Sequence, residues 1–556
     1  MSSARPVAES SVLGDKRSLL TLADEARRDE ERVEKYGGDD PEDPPPQADT
    51  KAPAGEVKVQ PVQAEPDPNL VTWSPGELDN PNNWSRRYKW FVTLLNSFML
   101  LNVTFASSAP TAGAHAVAEA LHSSNEISYL ITALFLFGYV VGPIFWGPGS
   151  EMFGRRPVVI LTMTCHTLLH LGQSRAPNMQ TLLITRFLGG FFASGPLNNA
   201  GGVLADTWDA LDRGPATSVM FTCIFIGPAL GPLVGGFVVS SYLGWRWVFW
   251  VMMIFAATCA ICAILFFPET YTPVLLAKKA RRLRKADPVA NKDLYAESER
   301  HPWTLHSLLE RTLFRPFIML SEELILVLVT LYLSVVYGII YALFQIIPFV
   351  FARTRHFTVS QTGLIFIGVG TGCTLGAGVN YLFSRHYPRL MKTWRGFPPP
   401  EERLLAAMAA GPLLVIGIFW LGWTGNYESV PWYVPMLSTI PIGMAVNMLF
   451  MSFLSYLVDT YLMYAASAFA ANTMIRSGFA AAFPLFTTQM FEGMGTNWAA
   501  TLLGLLAAAL APIPFLFYKY GARIRQNSHF APCLDLKIAK TLAEERAAAG
   551  GEKQEV

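Results

Sequence analysis

Two arginines set inside apolar runs are the residues of this chain whose chemistry most needs a partner. Arg186 and Arg476 each lie within a long, mostly apolar stretch. A guanidinium left in hydrocarbon is costly, so Arg476, near the middle of its run, should face a bundle interior, and Arg186 either does the same or snorkels outward. Inside a bundle a guanidinium can bind backbone carbonyls, an amide such as Asn472, or an oxygen-bearing solute. Glu322 and Glu323 open another apolar run. Such acids either titrate in a cavity and carry protons, or sit at an interface near a helix N-terminus. Later in that run Tyr337, Tyr341 and Gln345 recur every four residues, which places them on one helix face. Asn96, Asn198, Asn199, Asn447 and Asn472 offer amides for solute binding or for joining helices. His166 and His170 are spaced i, i+4, but no carboxylate or thiol completes a metal site with them. Packing or a hydrogen bond is the expected role of this pair.

The elements that position these groups are membrane helices. The chain has 556 residues, of which 51% are hydrophobic and only 15% charged, and its mean hydropathy is +0.31. Soluble domains carry roughly a quarter charged residues. The net charge of +1 gives no global bias toward nucleic acid. Cys259 and Cys262 form a Cys-x-x-Cys spacing inside an apolar run, which points to packing rather than to redox or zinc chemistry. No phosphate-binding loop, nucleophile elbow or zinc-hydrolase pattern is present, so the expectation is a non-enzyme without cofactor or metal.

About twelve segments are long enough to cross a bilayer's hydrocarbon layer. They fall near 90–112, 127–147, 158–174, 179–203, 216–240, 246–267, 317–348, 361–383, 404–423, 432–455, 462–487 and 498–518. A polar segment at 269–316 divides them into six and six. The expected fold is therefore an all-α integral membrane protein, with twelve transmembrane helices in two six-helix halves around a central cavity. The expected organisation is a disordered N-terminal region at 1–89, a first half at 90–268 and a central loop at 269–316. A second half at 317–518 and a tail at 519–556 follow, with a short helix near 534–548. The N-terminal region is rich in Pro, Asp, Glu, Lys and Ala and buries too little apolar surface to fold.

Basic residues set the orientation. Lys278, Lys279, Arg281, Arg282, Arg284 and Lys285 fall in the central loop. Arg385, Arg389, Lys392, Arg395 and Arg403 follow the eighth segment, and Lys519, Arg523 and Arg525 follow the twelfth. These share one face, which the positive-inside rule makes cytoplasmic together with both termini. Arg175, Arg353 and Arg355 are exceptions on the opposite side.

Two glycine-rich stretches carry the expected moving parts. Gly227-Pro228-Ala229-Leu230-Gly231-Pro232-Leu233-Val234-Gly235-Gly236 lies in the fifth segment. Its small residues allow close helix approach and its prolines bend the axis, so it reads equally as a bendable helix whose glycines could pack against the second half and as a static packing seam. Gly147-Pro148-Gly149-Ser150-Glu151-Met152-Phe153-Gly154-Arg155-Arg156-Pro157 lies between the second and third segments. Its glycines read as a tight turn, and Glu151 with Arg155 and Arg156 either as a charged latch or as a turn with positive-inside arginines.

This connector resembles that of the major facilitator superfamily, with Glu151 where that family usually has Asp, Gly149 for Leu and Met152 for Arg. The resemblance extends over about 71–525. Arg186-Phe187-Leu188-Gly189-Gly190 is similar to the family's embedded-arginine motif, with Gly189 for a common Gln. The stretch with Gly227, Gly231, Pro232, Gly235 and Gly236 is similar to its fifth-helix antiporter motif. Asn80-Pro81-Asn82-Asn83-Trp84-Ser85, Trp245-Arg246-Trp247-Val248-Phe249-Trp250, Pro268-Glu269-Thr270-Tyr271 and the run 461–484 resemble the fungal twelve-span drug:proton antiporters. That resemblance implies alternating access and proton-driven efflux of a secondary metabolite, organic acid or drug across the plasma membrane. The partners expected are a small-molecule substrate, protons and the lipid bilayer, with no nucleic acid, and the protein is expected to be a monomer. The alternatives are movement of an organic acid or polyamine without antiport, and a transporter-like sensor.

Overall fold

The computed structural model describes residues 67, 69–74, 76–209, 212–300 and 314–542. The disorder expected for the N-terminal region lies outside the described residues up to position 66. The chain divides into two compact units. One comprises Pro68–Arg385 with Pro400–Pro532 and holds all the long helices. The other comprises Met1–Asp67, His386–Pro399 and Cys533–Val556. Its described parts include a helix at Tyr387–Thr393 and helical residues 534–542. Positions 543–548 of the expected tail helix lie outside the described residues.

Twelve helices follow one another in the larger unit. They are α1 (Arg86–Ser108), α2 (Asn125–Phe153), α3 (Arg155–Ser174), α4 (Met179–Thr207), α5 (Arg213–Ser240) and α6 (Arg246–Phe266). After the central segment come α7 (Leu324–Pro348), α8 (Val359–Ser384), α9 (Leu405–Gly425), α10 (Tyr433–Tyr461), α11 (Ala465–Met494) and α12 (Thr496–Leu510). Among the described residues, nine of these, taken with the short helices that extend some of them, are long and apolar enough to cross a membrane. The other three, α3, α4 and α11, are diluted by the residues singled out above: His166 and His170, Arg186 and Asn199, and Asn472 and Arg476.

Helix pairing repeats with a shift of six. α1 packs on α5, and α7 on α11; α2 packs on α4, and α8 on α10; α3 packs on α4 and α6, and α9 on α10 and α12. The two halves meet through α2 on α11 and α5 on α8, which exchange under the same shift. Direct sequence repetition is not visible, because a lipid-facing helix needs only apolarity and small contact residues.

Several boundaries differ from the sequence reading. α2 continues to Phe153, so Gly147 and Glu151 are helical rather than in a turn. The turn is Gly154 alone, at φ +99°, a conformation that a side chain would strain. The expected seventh segment is split, because Glu323 is extended between a short helix at Arg315–Glu322 and α7. The twelfth is broken at Pro512, where Ile513–Gln526 takes over. A short helix, Thr272–Ala286, lies in the central segment.

The expected contact of the α5 glycines with the second half is mostly replaced by contact within the first. Side chains at Gly227 and Gly231 would collide with Thr104 and Ser108 of α1, and one at Gly235 with the Ala109 carbonyl. Gly236 alone of these four meets the second half, where its Cβ would lie 2.9 Å from the Val359 carbonyl of α8. Gly363 of α8 meets the Pro232 carbonyl in return, with its Cβ at 2.8 Å.

Candidate functional site

Arg186 is fully buried in α4. Its Nε donates to the Ile131 carbonyl of α2 at 2.9 Å, and its Nη1 and Nη2 to Ala106 and Ser107 of α1 at 3.0 and 3.3 Å. The guanidinium lies 4.2 Å from the Phe135 ring centre. These contacts spend its donors on backbone, so Arg186 ties α4 to α1 and α2. Helical carbonyls accept a second bond readily because each has two lone pairs.

Arg476 of α11 is differently placed. Its guanidinium lies over Tyr337 of α7 and Phe450 of α10, at 5.2 and 5.3 Å. Its Nε is buried without a partner, and among the described residues it forms no ion pair. Tyr337 meets Tyr341 edge-to-face at 5.1 Å, and the Tyr341 hydroxyl lies 2.9 Å from Ser107 Oγ of α1. One continuous set of contacts thus runs from Arg186 through Ser107, Tyr341 and Tyr337 to Arg476, crossing from one half to the other. Asn472, one turn before Arg476, donates to Thr330 of α7 at 3.2 Å while its Oδ1 is buried and unpaired. Asn96, Asn199 and Asn447 are buried with both amide atoms unpartnered. Buried amides normally find partners, and these three have none among the described residues.

The remaining expected site residues lie elsewhere. Asn198 faces α2, with its Nδ2 within 3.2 Å of where a Cβ at Gly147 would be. Gln345 is half-buried and has no side-chain partner among the described residues. Glu322 is exposed. Glu323 is buried and receives hydrogen bonds from the Tyr461 hydroxyl at 3.2 Å, the Ser528 hydroxyl at 2.7 Å, and the His529 and Phe530 amides. It anchors the segment that follows Ile513–Gln526. An apolar crevice is lined by Phe225 of α5, Leu343 and Phe344 of α7, Phe366 of α8 and Val446 of α10.

The latch expected at Glu151 is built from other acids. Among the described residues Glu151 has no partner. Arg155 instead pairs with Asp206 at the end of α4 at 3.3 Å, donates to Ser150 Oγ at 2.8 Å and lies over the Tyr271 ring. Glu269, in the turn after α6, accepts from the Arg155 and Arg156 backbone amides at 2.8 and 3.3 Å. A carboxylate on the free amides of a helix start is favoured by both hydrogen bonding and the helix dipole. Arg156 itself donates to the Ile264 carbonyl. The second half repeats the ion pair: Arg403, just before α9, meets Asp459 at the end of α10 at 2.8 Å. The legible signal was an arginine opening the third or ninth helix, with an aspartate 51 or 56 residues later.

A family model for the Major Facilitator Superfamily matches residues 91–484. The chain is 40% identical to the MFS-type efflux pump MFS2 of Trichophyton rubrum over 86% of its length and 80% of that protein's. It is 40% identical to the Ascochitine biosynthesis cluster MFS transporter of Didymella fabae, covering 84% of this chain and 90% of that protein. Among solved structures, the xylose transporter XylE from E. coli superposes on 78% of this chain and 99% of its own, with a TM-score of 0.55 at 17% identity. Twelve helices paired in two matching sets, arginines buried between them, and these likenesses agree: the chain is a multi-pass membrane transporter and belongs to the Major Facilitator Superfamily.

Proposed function

We propose that the protein exports a small organic compound, neutral or anionic and rich in oxygen acceptors, across the plasma membrane in exchange for protons. The observation that carries the substrate class is Arg476, a cation held between Tyr337 and Phe450 with no carboxylate partner among the described residues. Aromatic faces stabilise the charge and leave its edge for an anion or carbonyl. Asn447, Asn472 and Tyr341 add hydrogen bonding near it. Efflux is supported by relatives named as an efflux pump and as the transporter of a biosynthesis cluster. Orientation with both termini in the cytoplasm rests on the basic residues of the central segment and of the last helix. In this reading 90–268 and 317–518 are the two rocking halves, and Gly154, Arg155, Asp206 and Glu269 hold the cytoplasmic end of the first.

The second reading, movement of an organic acid without antiport, is favoured by the lack of any described carboxylate near the middle of a span. Both readings are tested by loading purified protein into liposomes and measuring carboxyfluorescein and spermidine flux with and without a pH gradient. Export predicts faster dye movement, accelerated by a gradient acid on the receiving side and indifferent to ATP. Dye flux that ignores the gradient favours the second reading. Faster spermidine than dye overturns the substrate class.

A further inference from the structure

His166 and His170 lie fully buried on α3, with ring centres 4.2 Å apart. His166 Nδ1 is 3.0 Å from the Gly189 carbonyl of α4. The two Nε2 atoms are 3.0 Å apart, and His170 Nδ1 is 2.9 Å from Gln173 Oε1. Gln173 Nε2 in turn donates to the Thr185 carbonyl of α4 at 2.9 Å. That last bond fixes the amide, because turning it over would set two acceptor oxygens against each other.

The protons in this chain can be counted. Gly189 O and Gln173 Oε1 only accept, and the histidine–histidine contact also needs one hydrogen. Three hydrogens are required, while two neutral imidazoles carry two. We infer that His166 and His170 together form a proton-binding site that holds one exchangeable proton between their rings. This inference rests on the proton-coupled reading above and names the group that carries the proton.

Loss of the proton has a mechanical consequence. With both rings neutral, one contact in the chain becomes two facing lone pairs. If it is His170 Nδ1 with Gln173 Oε1, the amide turns and the bond to Thr185 breaks. Thr185 directly precedes Arg186, which holds α1 and α2 and leads through Ser107 and Tyr341 toward Arg476. In that arrangement protonation ties α3 to α4 beside the arginine, and deprotonation releases it. Gly189 is part of the device: a Cβ there would stand 3.0 Å from Gln173 Nε2.

The charged and titratable surroundings are few. Burial and the Arg186 charge from α4 oppose a positive charge on either ring, while the Gly189 and Gln173 oxygens favour it. From α2, Phe135 packs on His166, and Tyr139 donates away to the Val103 carbonyl of α1. At the end of α3, Arg246 of α6 donates to the Ala176 carbonyl, and Arg175 lies over Trp250. Among the described residues no carboxylate faces the pair.

Two measurements on the full-length protein test this. In membranes containing 15N-histidine-labelled protein, solid-state NMR should show one imidazolium assigned to the pair at pH 6, absent in His170→Gln. Two neutral rings throughout pH 5–8 overturn the proposal. In liposomes, a pH gradient should accelerate wild-type carboxyfluorescein flux at least fivefold and leave His170→Gln and Gln173→Leu unaccelerated. Dye exchange at equal pH should persist in both variants, which shows that they fold. Equal acceleration in wild type and His170→Gln overturns the dyad and leaves antiport standing. An imidazolium without gradient-driven flux in wild type sinks antiport and removes coupling from the dyad, leaving only its bound proton.

Discussion

The two buried arginines do different work because their donors end differently. Arg186 gives its donors to three carbonyls of neighbouring helices, and hydrogen bonds from charged groups are worth about 1.5–3 kcal/mol each. Arg186→Ala should therefore lower the melting temperature of the detergent-solubilised protein by several degrees, and abolish transport through misplacement of α4. If transport survives with coupling intact, Arg186 is not part of the pathway. Arg476 lies over two aromatic faces and has an unpaired Nε. Arg476→Gln should leave the melting temperature nearly unchanged and reduce kcat/KM for an organic anion tenfold or more, about 1.4 kcal/mol. Equal losses for anionic and neutral probes would argue against anion recognition.

At the scale of elements, the closest approaches are where glycine is required. Gly190 of α4 admits the Phe135 carbonyl of α2, and Gly231 of α5 admits Ser108 of α1. Gly231→Val must separate α5 from α1, at the 1–3 kcal/mol order expected of overpacking, roughly; reduced yield of folded protein in gel filtration checks it. A second element-level device lies at the helix Thr272–Ala286. Beside it the Val71 amide donates to the Tyr295 carbonyl and the Tyr295 amide to the Asn69 carbonyl, and Val71 buries against Ala280 and Ala296. Lys279 pairs with Glu77, Arg282 with Asp79, and Arg281 and Arg284 with Glu299. A basic cluster that reads in sequence as bare is thus partly neutralised by the segment before α1. Lys279 and the Ser74 amide hold the Glu77 carboxyl below its ordinary range. A depressed carboxylate contributes stability above the unfolded value, about 4.3, and loses it as pH falls through the lowered one. Trypsin cleavage within 272–286 should be slow at pH 7, speed up in Glu77→Gln at that pH, and be unaffected by changing wild type from pH 6 to 8.

At the scale of the molecule, the two halves carry matching ion pairs, Arg155 with Asp206 and Arg403 with Asp459. Both sit where an odd-numbered helix starts and an even-numbered one ends. Arg155→Ala and Arg403→Ala should each shift the balance of conformations the same way, read as faster maleimide labelling of cysteines introduced at that end. Opposite shifts would mean that the pairs do not act as equivalents. The exceptions to the charge rule are also resolved by partners. Arg355 donates to the Thr424, Gly425 and Tyr427 carbonyls at the end of α9, where a cation meets the negative end of the helix dipole. Arg353 pairs with Glu492.

By itself the sequence determined the solvent in which this chain folds, the number and order of its helices, and the arginines whose burial needed explanation. Those follow from hydropathy and length, which are local properties. Tertiary structure decided partners. Glu151 stands beside Arg155 in sequence, yet Asp206 and Glu269 hold Arg155, because the end of α4 and the turn after α6 return to the start of α3. The α5 glycines read as an interface between halves, yet three of them receive α1. His166 and His170 showed their shared helix face in their spacing, but the Gly189 and Gln173 oxygens that fix their proton count became visible only once α3 lay on α4. A polar group inside a membrane must be satisfied by whatever helix packs beside it, and spacing along one helix does not say which helix that will be.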